Sequence, residues 1–178
     1  MGMLDGKVVA VTGAGRGVGR EIALLCAAHG AAVIVNDPGV GGGGEGGDAG
    51  PAQDTVNDIL AAGGKAHANM ASVADPVGAT SIIEDAVQRF GRIDAVVNNA
   101  GIFLPGSIEQ EEVGVFEKVI SVNLAASYHL SRACLPMLRR ASKAHIFSIA
   151  SILNSHQATC LIFGKIYPLV DGSKVISE

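Results

Sequence analysis

Residues 8–25 read VVAVTGAGRGVGREIALL, and no other stretch of the chain restricts its fold so tightly. Apolar residues at consecutive positions in residues 7–12 predict a strand buried on both faces. Glycines follow at once, then a helical pattern to about His29, with Gly30 just past the helix end. A strand that turns straight into a helix presents that helix's free N–H groups and positive dipole end beyond the strand. Glycines in the turn let the backbone approach a phosphate there.

The spacing of those glycines discriminates further. The dinucleotide fingerprint GxGxxG fits nowhere, because Val18 and Arg20 stand where a last glycine would fall. The phosphate loop GxxxxGK[ST] fails as well, since Arg20 and Glu21 follow Gly19. What fits is Thr12-Gly13-x-x-x-Gly17-x-Gly19.

Beyond the turn, short β-branched runs alternate with longer helical ones. Residues 31–36 (AAVIVN) predict a second strand, 65–70 (KAHANM) a weak third, 93–98 (IDAVVN) a fourth and 145–150 (HIFSIA) a fifth. Pro51 opens one helix and Gly63 closes it, with Val56, Ile59 and Leu60 on an apolar face. Asp75-Pro76 caps another that runs to about Phe90, with Ile83, Ala86, Val87 and Phe90 at helical spacing. A long helical stretch covers about 111–140, with an interruption near Asn123. Strands separated by helices predict α/β architecture, an open, doubly wound parallel sheet in one domain over residues 1–178. Such sheets bind ligands at the carboxyl ends of their strands. The run GVGGGGEGGDAG after the second strand reads as a flexible loop, or as a flap beside a ligand.

A net charge of −4 argues against nucleic acid or an anionic membrane as partner. The apolar run IALLCAAHGAAVIV is broken by His29 and Gly30 and so reads as helix, turn and strand. Cys26, Cys134 and Cys160 are far apart and show no metal or redox spacing, so they are expected as buried or half-buried thiols in a reducing compartment, with no metal bound. With no apolar leader at the amino terminus, the cytoplasm is the expected location.

TGxxxGxG after the first strand, with Asn98-Asn99-Ala100-Gly101 after the fourth, resembles the short-chain dehydrogenase/reductase family. The likeness runs to about Ser151, and the NDPG segment weakly resembles hydroxyacyl-CoA dehydrogenase-like members. It implies a Rossmann-type sheet, a nicotinamide dinucleotide, and hydride transfer on an alcohol or carbonyl of a small-molecule substrate. The cofactor would lie against Thr12, Gly13, Arg16, Gly17, Val18 and Gly19, with Asn99, Ala100 and Gly101 beside them. A carboxylate at Asp37, ending the second strand, accepts the adenosine ribose hydroxyls and repels a 2′-phosphate, which favours NAD over NADP. Arg16 is the counter-signal, a guanidinium able to pair with a phosphate or to stand as a solvated loop cation. Relatives carry an adenine-contacting Asp and then an apolar residue after the third strand. Here Ala71-Ser72-Val73 stands in that region, without the acid and with Val73 as the apolar residue; Asn69 and Asp75 are the alternatives, neither at the matching step.

The family's catalytic set implies Asn123 in SVNLAAS as the residue that holds a water on the proton path, and Ser151 as the hydroxyl on the reacting oxygen. Ser148 and Ser155 are the alternatives. Tyr167 and Lys174 would form the proton-transfer pair, but the family spacing is YxxxK and these two are seven positions apart. Four residues after Tyr167 stands Asp171, and four before Lys174 stands Val170. A cation at about 4 Å from a phenol contributes roughly 4 kcal/mol at an effective dielectric near 20, about three pKa units. Two helical turns away, at about 10 Å, it contributes less than about 2 kcal/mol. Pro168 suits the first turn of a helix and would leave Tyr167 outside it.

Family domains continue for roughly another seventy residues, so the sequence reads as the family fold without its last strands. Relatives associate through helices around the catalytic segment, so a homo-oligomer is expected. The alternative function is a nucleotide-binding or interaction module whose catalytic half is impaired.

Overall fold

A computed structural model describes residues 2–41, 46–104, 114–141 and 143–150, and beyond them only the backbone of three short strands. Five strands run parallel: β1 (Val8–Thr12), β2 (Ala32–Asn36), β3 (Lys65–Asn69), β4 (Ala95–Asn98) and β5 (His145–Ser148). They lie in the order β3-β2-β1-β4-β5, so the chain reverses direction across the sheet between β1 and β4. That reversal is the topological switch point of a doubly wound sheet, where a crevice opens at the carboxyl ends of the strands.

Alternation along the strands builds two cores. Val9, Val11, Val33 and Val35 face one side, where helices α1 (Gly17–Ala28) and α2 (Gly50–Ala61) cover them with Ala23, Val56 and Ile59. Val8, Ala10, Ala32 and Ile34 face the other, under α3 (Pro76–Phe90) and α5 (Ala126–Leu138), which supply Ile82, Ile83, Leu130 and Leu138. Both faces are therefore buried, which is why the strands carry unbroken apolar runs. Leu60, assigned to the apolar face of α2, is 51% exposed, so that face is narrower than expected. Burial pushes the Cys134 thiol in α5 up to about 12, an inert side chain inside the core.

Punctuation in the sequence sets the helix limits. Gly30 and Gly63 adopt positive φ just past α1 and α2, and the Asp75 carboxylate accepts the Val77 N–H to cap α3. The interruption expected near Asn123 is a π-helical turn, Ser121–Ala125, between α4 (Val115–Ile120) and α5. Beyond β5 the backbone departs from expectation. β6 (Ile152–Ser155) and β7 (Ala158–Leu161) pair antiparallel. β8 (Tyr167–Pro168) pairs antiparallel with β5, Ile146 opposite Tyr167, where a helix start was expected at Pro168. Proline is tolerated there because an edge strand leaves its missing N–H unneeded.

Candidate functional site

Two polar side chains close the switch point. The Thr12 hydroxyl donates to the Val97 carbonyl at 3.2 Å and accepts the backbone N–H groups of Asn99 and Ala100, each at 3.0 Å. The Asn99 amide returns the tie, donating to the carbonyls of Thr12 at 2.9 Å and Gly13 at 3.2 Å. The ends of β1 and β4 are thus held together by bonds that need a hydroxyl at 12 and an amide at 99. The Asn99 side chain is spent on the loop itself.

The glycines of the loop divide by what surrounds them. A Cβ at Gly13 would lie 2.9 Å from the Ala100 Cα, and one at Gly19 would lie 2.2 Å from the Gly13 carbonyl oxygen. Those two positions let α1 and β4 close on the turn. Gly17 differs: its φ is +53°, and a Cβ there would meet nothing within 4 Å. Arg16, in extended conformation, precedes α1, and no side chain caps the helix start or places an acid in its first turn. The start of α1 therefore has neither a side-chain cap nor an acid to compensate its dipole, and the space beside Gly17 is open, an arrangement that suits an anion such as a pyrophosphate. Val18 in that turn is 62% exposed, and a Cβ at Gly101 would lie 3.5 Å from Asn123 Oδ1, an ordinary contact.

Asp37 stands just past β2, beside the same loop. One carboxylate oxygen accepts the Gly15 N–H at 2.9 Å and the other accepts the Gly39 N–H at 2.8 Å. Each oxygen keeps a lone pair for a ligand hydroxyl. The Arg16 guanidinium turns to the Val40 carbonyl at 3.4 Å.

Past the end of β3, Val73 is 5% exposed and packs into the core with Ala79 and Ile82. Register pairs Asn36 with Asn69, both buried. The Asn36 amide donates to Asn69 Oδ1 at 2.9 Å and to the Ala71 carbonyl at 2.8 Å, while the Asn69 amide donates to Asp85 at 2.7 Å. Sequence reasoning missed this chain of amides. Its only signal was an asparagine closing each of two neighbouring strands.

Asn123 sits in the π turn, with the Ala126 N–H reaching five residues back to the Ser121 carbonyl. Its side chain clips the backbone of Ile102, accepting the N–H at 2.8 Å and donating to the carbonyl at 3.0 Å. A π turn inserts one residue into the helix and shifts its carbonyl ladder out of step. Ser148 lies 3.4 Å from the Asn98 amide. Ser151 and Lys174 lie outside the described residues, and Tyr167 is described by its backbone alone. Among the described residues no cluster of His, Cys, Asp and Glu converges as metal ligands, and no helix is long and apolar enough to cross a membrane.

A sequence model of the short chain dehydrogenase family matches residues 7–162. The chain is 41% identical over 147 residues to a peroxisomal hydratase-dehydrogenase-epimerase of Neurospora crassa, covering 83% of this chain and 16% of that protein. The crystal structure of a short chain dehydrogenase from Mycobacterium avium superposes with a TM-score of 0.76 at 41% identity, over 84% of this chain and 56% of that one. A 7α-hydroxysteroid dehydrogenase complexed with NADH and 7-oxo glycochenodeoxycholic acid superposes with a TM-score of 0.77 at 29% identity, over 88% and 57% of the two chains.

Proposed function

The chain belongs to the short chain dehydrogenase family, and from that membership we propose that it is an NAD-dependent oxidoreductase acting on an alcohol or carbonyl substrate. The observation that carries the proposal is the uncapped α1 terminus opening on empty space at Gly17, behind the Thr12–Asn99 tie. Thr12, Gly13, Gly17 and Gly19 shape the loop, and the N–H groups at the start of α1 hold the pyrophosphate. Bound there, the dinucleotide supplies the hydride chemistry. Asp37 takes the adenosine ribose hydroxyls and disfavours a 2′-phosphate, which is the ground for NAD over NADP.

In the reacting half, Tyr167 exchanges the substrate hydroxyl proton, Ser151 bonds the reacting oxygen, and Lys174 stabilises the phenolate. Asn123, through its clip on Ile102, holds the π turn that positions a water on the proton path. Residues 1–178 act as one nucleotide-binding domain in a soluble, cytoplasmic protein. Phe116, Ile120, Leu124 and Tyr128, all exposed at four-residue steps through α4, the π turn and α5, support a homo-oligomer. The weak likeness of the NDPG segment to hydroxyacyl-CoA dehydrogenase-like members, with which the hydratase-dehydrogenase-epimerase relative is consistent, favours a hydroxyacyl thioester among small-molecule substrates.

The test follows NAD reduction at 340 nm with a panel of hydroxyacyl thioesters and secondary alcohols. Turnover that disappears in Tyr167→Phe, with NADH affinity unchanged, supports the assignment. Turnover that survives the substitution removes Tyr167 as the proton donor.

A further inference from the structure

We propose that Gly15, an unspecified position within the glycine motif, determines the cofactor preference by fixing the Asp37 carboxylate. The inference rests on the reading above, in which Asp37 meets the adenosine ribose. Gly15 is enclosed by two elements distant in sequence. A Cβ at this position would lie 2.7 Å from the Pro51 Cβ and 2.8 Å from Asp37 Oδ2. Both distances are below what real Cβ atoms adopt. The bare backbone lets the start of α2 and the carboxylate close on the loop together, and the Gly15 N–H then reaches Asp37 at 2.9 Å.

The neighbours of Gly15 are unequal in freedom. Pro51 is buried in the first turn of α2, its ring fixed in φ and without rotamers to change. Thr55, one turn on and fully buried, bonds the Pro51 carbonyl at 3.2 Å and the Gly15 carbonyl at 3.4 Å, so it ties α2 to the loop. Asp37 is held only by hydrogen bonds and can rotate. A side chain at position 15 therefore displaces the carboxylate, and its contact with the Pro51 ring is relieved only by a shift of the loop or of α2. On the far side the Gly39 N–H holds the second oxygen, and Gly39 is itself irreplaceable, since a Cβ there would lie 1.6 Å from the Asp48 carbonyl oxygen. Two glycine N–H groups thus aim one carboxylate. Charge at the second strand's end selects between cofactors only when that charge stands where the ribose hydroxyls or a 2′-phosphate arrive.

Among the described residues, neither of the two arginines at the mouth of this cleft pairs with the Asp37 carboxylate. Arg20, which lines it with Arg16, is paired with Asp58 at 2.6 Å and Glu21 at 2.9 Å. Arg16 bonds the Val40 carbonyl.

The experiment titrates the full chain and its Gly15→Ala variant with NADH and with NADPH, followed by nicotinamide fluorescence. The expected result is about a tenfold rise in Kd for NADH, with Kd for NADPH unchanged or lower, so that the preference falls at least tenfold. Equal weakening of both cofactors, or an unchanged ratio, overturns the proposal, because either makes Gly15 a structural residue of the loop only. Should Gly15→Ala fail to fold, Thr55→Val decides: it keeps the side-chain shape and frees the Gly15 carbonyl. A threefold fall in preference supports the proposal, and an unchanged ratio overturns it. A wild-type chain that binds neither cofactor, or that prefers NADPH, refutes the underlying reading of Asp37. A wild type that prefers NADH beside a Gly15→Ala variant with the same preference refutes this inference alone.

Discussion

β1 and β4 are tied together at both of their ends, and the two ties are built from opposite chemistry. At the amino-terminal end the Asp94 carboxylate, 4% exposed, accepts from Lys7 at 3.3 Å, from Arg92 at 2.6 Å and from the Val8 N–H at 3.0 Å. Burial alone would raise its pKa, but the Arg92 guanidinium, the Val8 N–H and the Lys7 ammonium outweigh burial and hold it below the usual carboxylate range. At the carboxyl-terminal end the tie is neutral, Thr12 and Asn99 serving the backbone. The charged tie consumes its bonding capacity within the protein. The neutral one closes the strands yet leaves the α1 terminus uncompensated beside open space. One end is built for stability and the other to receive charge.

Substitutions at the two ends should separate along that line. The largest effect is expected from Gly19→Ala, whose methyl would lie 2.2 Å from the Gly13 carbonyl oxygen, backbone that cannot rotate away. About 3 kcal/mol or more of stability should be lost in denaturant titration. NADH affinity should fall at least a hundredfold, since the loop can no longer close.

Asp94→Asn should come next, at about 2–3 kcal/mol, because two cations and an N–H lose their anion. The folded carboxyl's pKa is depressed, so its contribution is present above the unfolded value of about 3.9 and lost as pH falls through the folded value. The stability gap between wild type and variant should therefore be full at pH 7 and close below about pH 4, while NADH affinity at pH 7 stays unchanged. A variant equally destabilised at pH 7 and pH 3 would show that packing, and not charge, holds that end.

Thr12→Val should cost least in stability, about 1–2 kcal/mol, for two N–H groups left without an acceptor. It should nevertheless weaken NADH binding about tenfold. If it alters stability and leaves affinity intact, the functional contrast between the two ends is wrong.

The parts of the molecule legible in the sequence are those in which neighbours along the chain decide the structure. The strand, turn and first helix follow from apolar runs and glycine spacing. Gly30, Gly63 and Asp75 fix helix ends through local backbone geometry. What stayed hidden depends on residues brought together by folding. Gly15 is an unspecified letter of its motif until Asp37 and Pro51 close on it. Asn36 and Asn69 become partners only through parallel register. The π turn at Asn123 depends on the Ile102 backbone, 21 residues earlier, and SVNLAAS by itself resembles helix with a weak point. For Tyr167 and Lys174 the seven-residue spacing was plain in the sequence, and their side chains lie outside the described residues.

The central claim is that the carboxyl end of β1 and β2 forms an assembled dinucleotide site, and an NADH titration of the purified full chain tests it most directly. The account predicts saturable binding in the micromolar range with enhanced nicotinamide fluorescence, and weaker binding of NADPH. A folded sample, judged by circular dichroism, that shows no saturable response to either cofactor would contradict it.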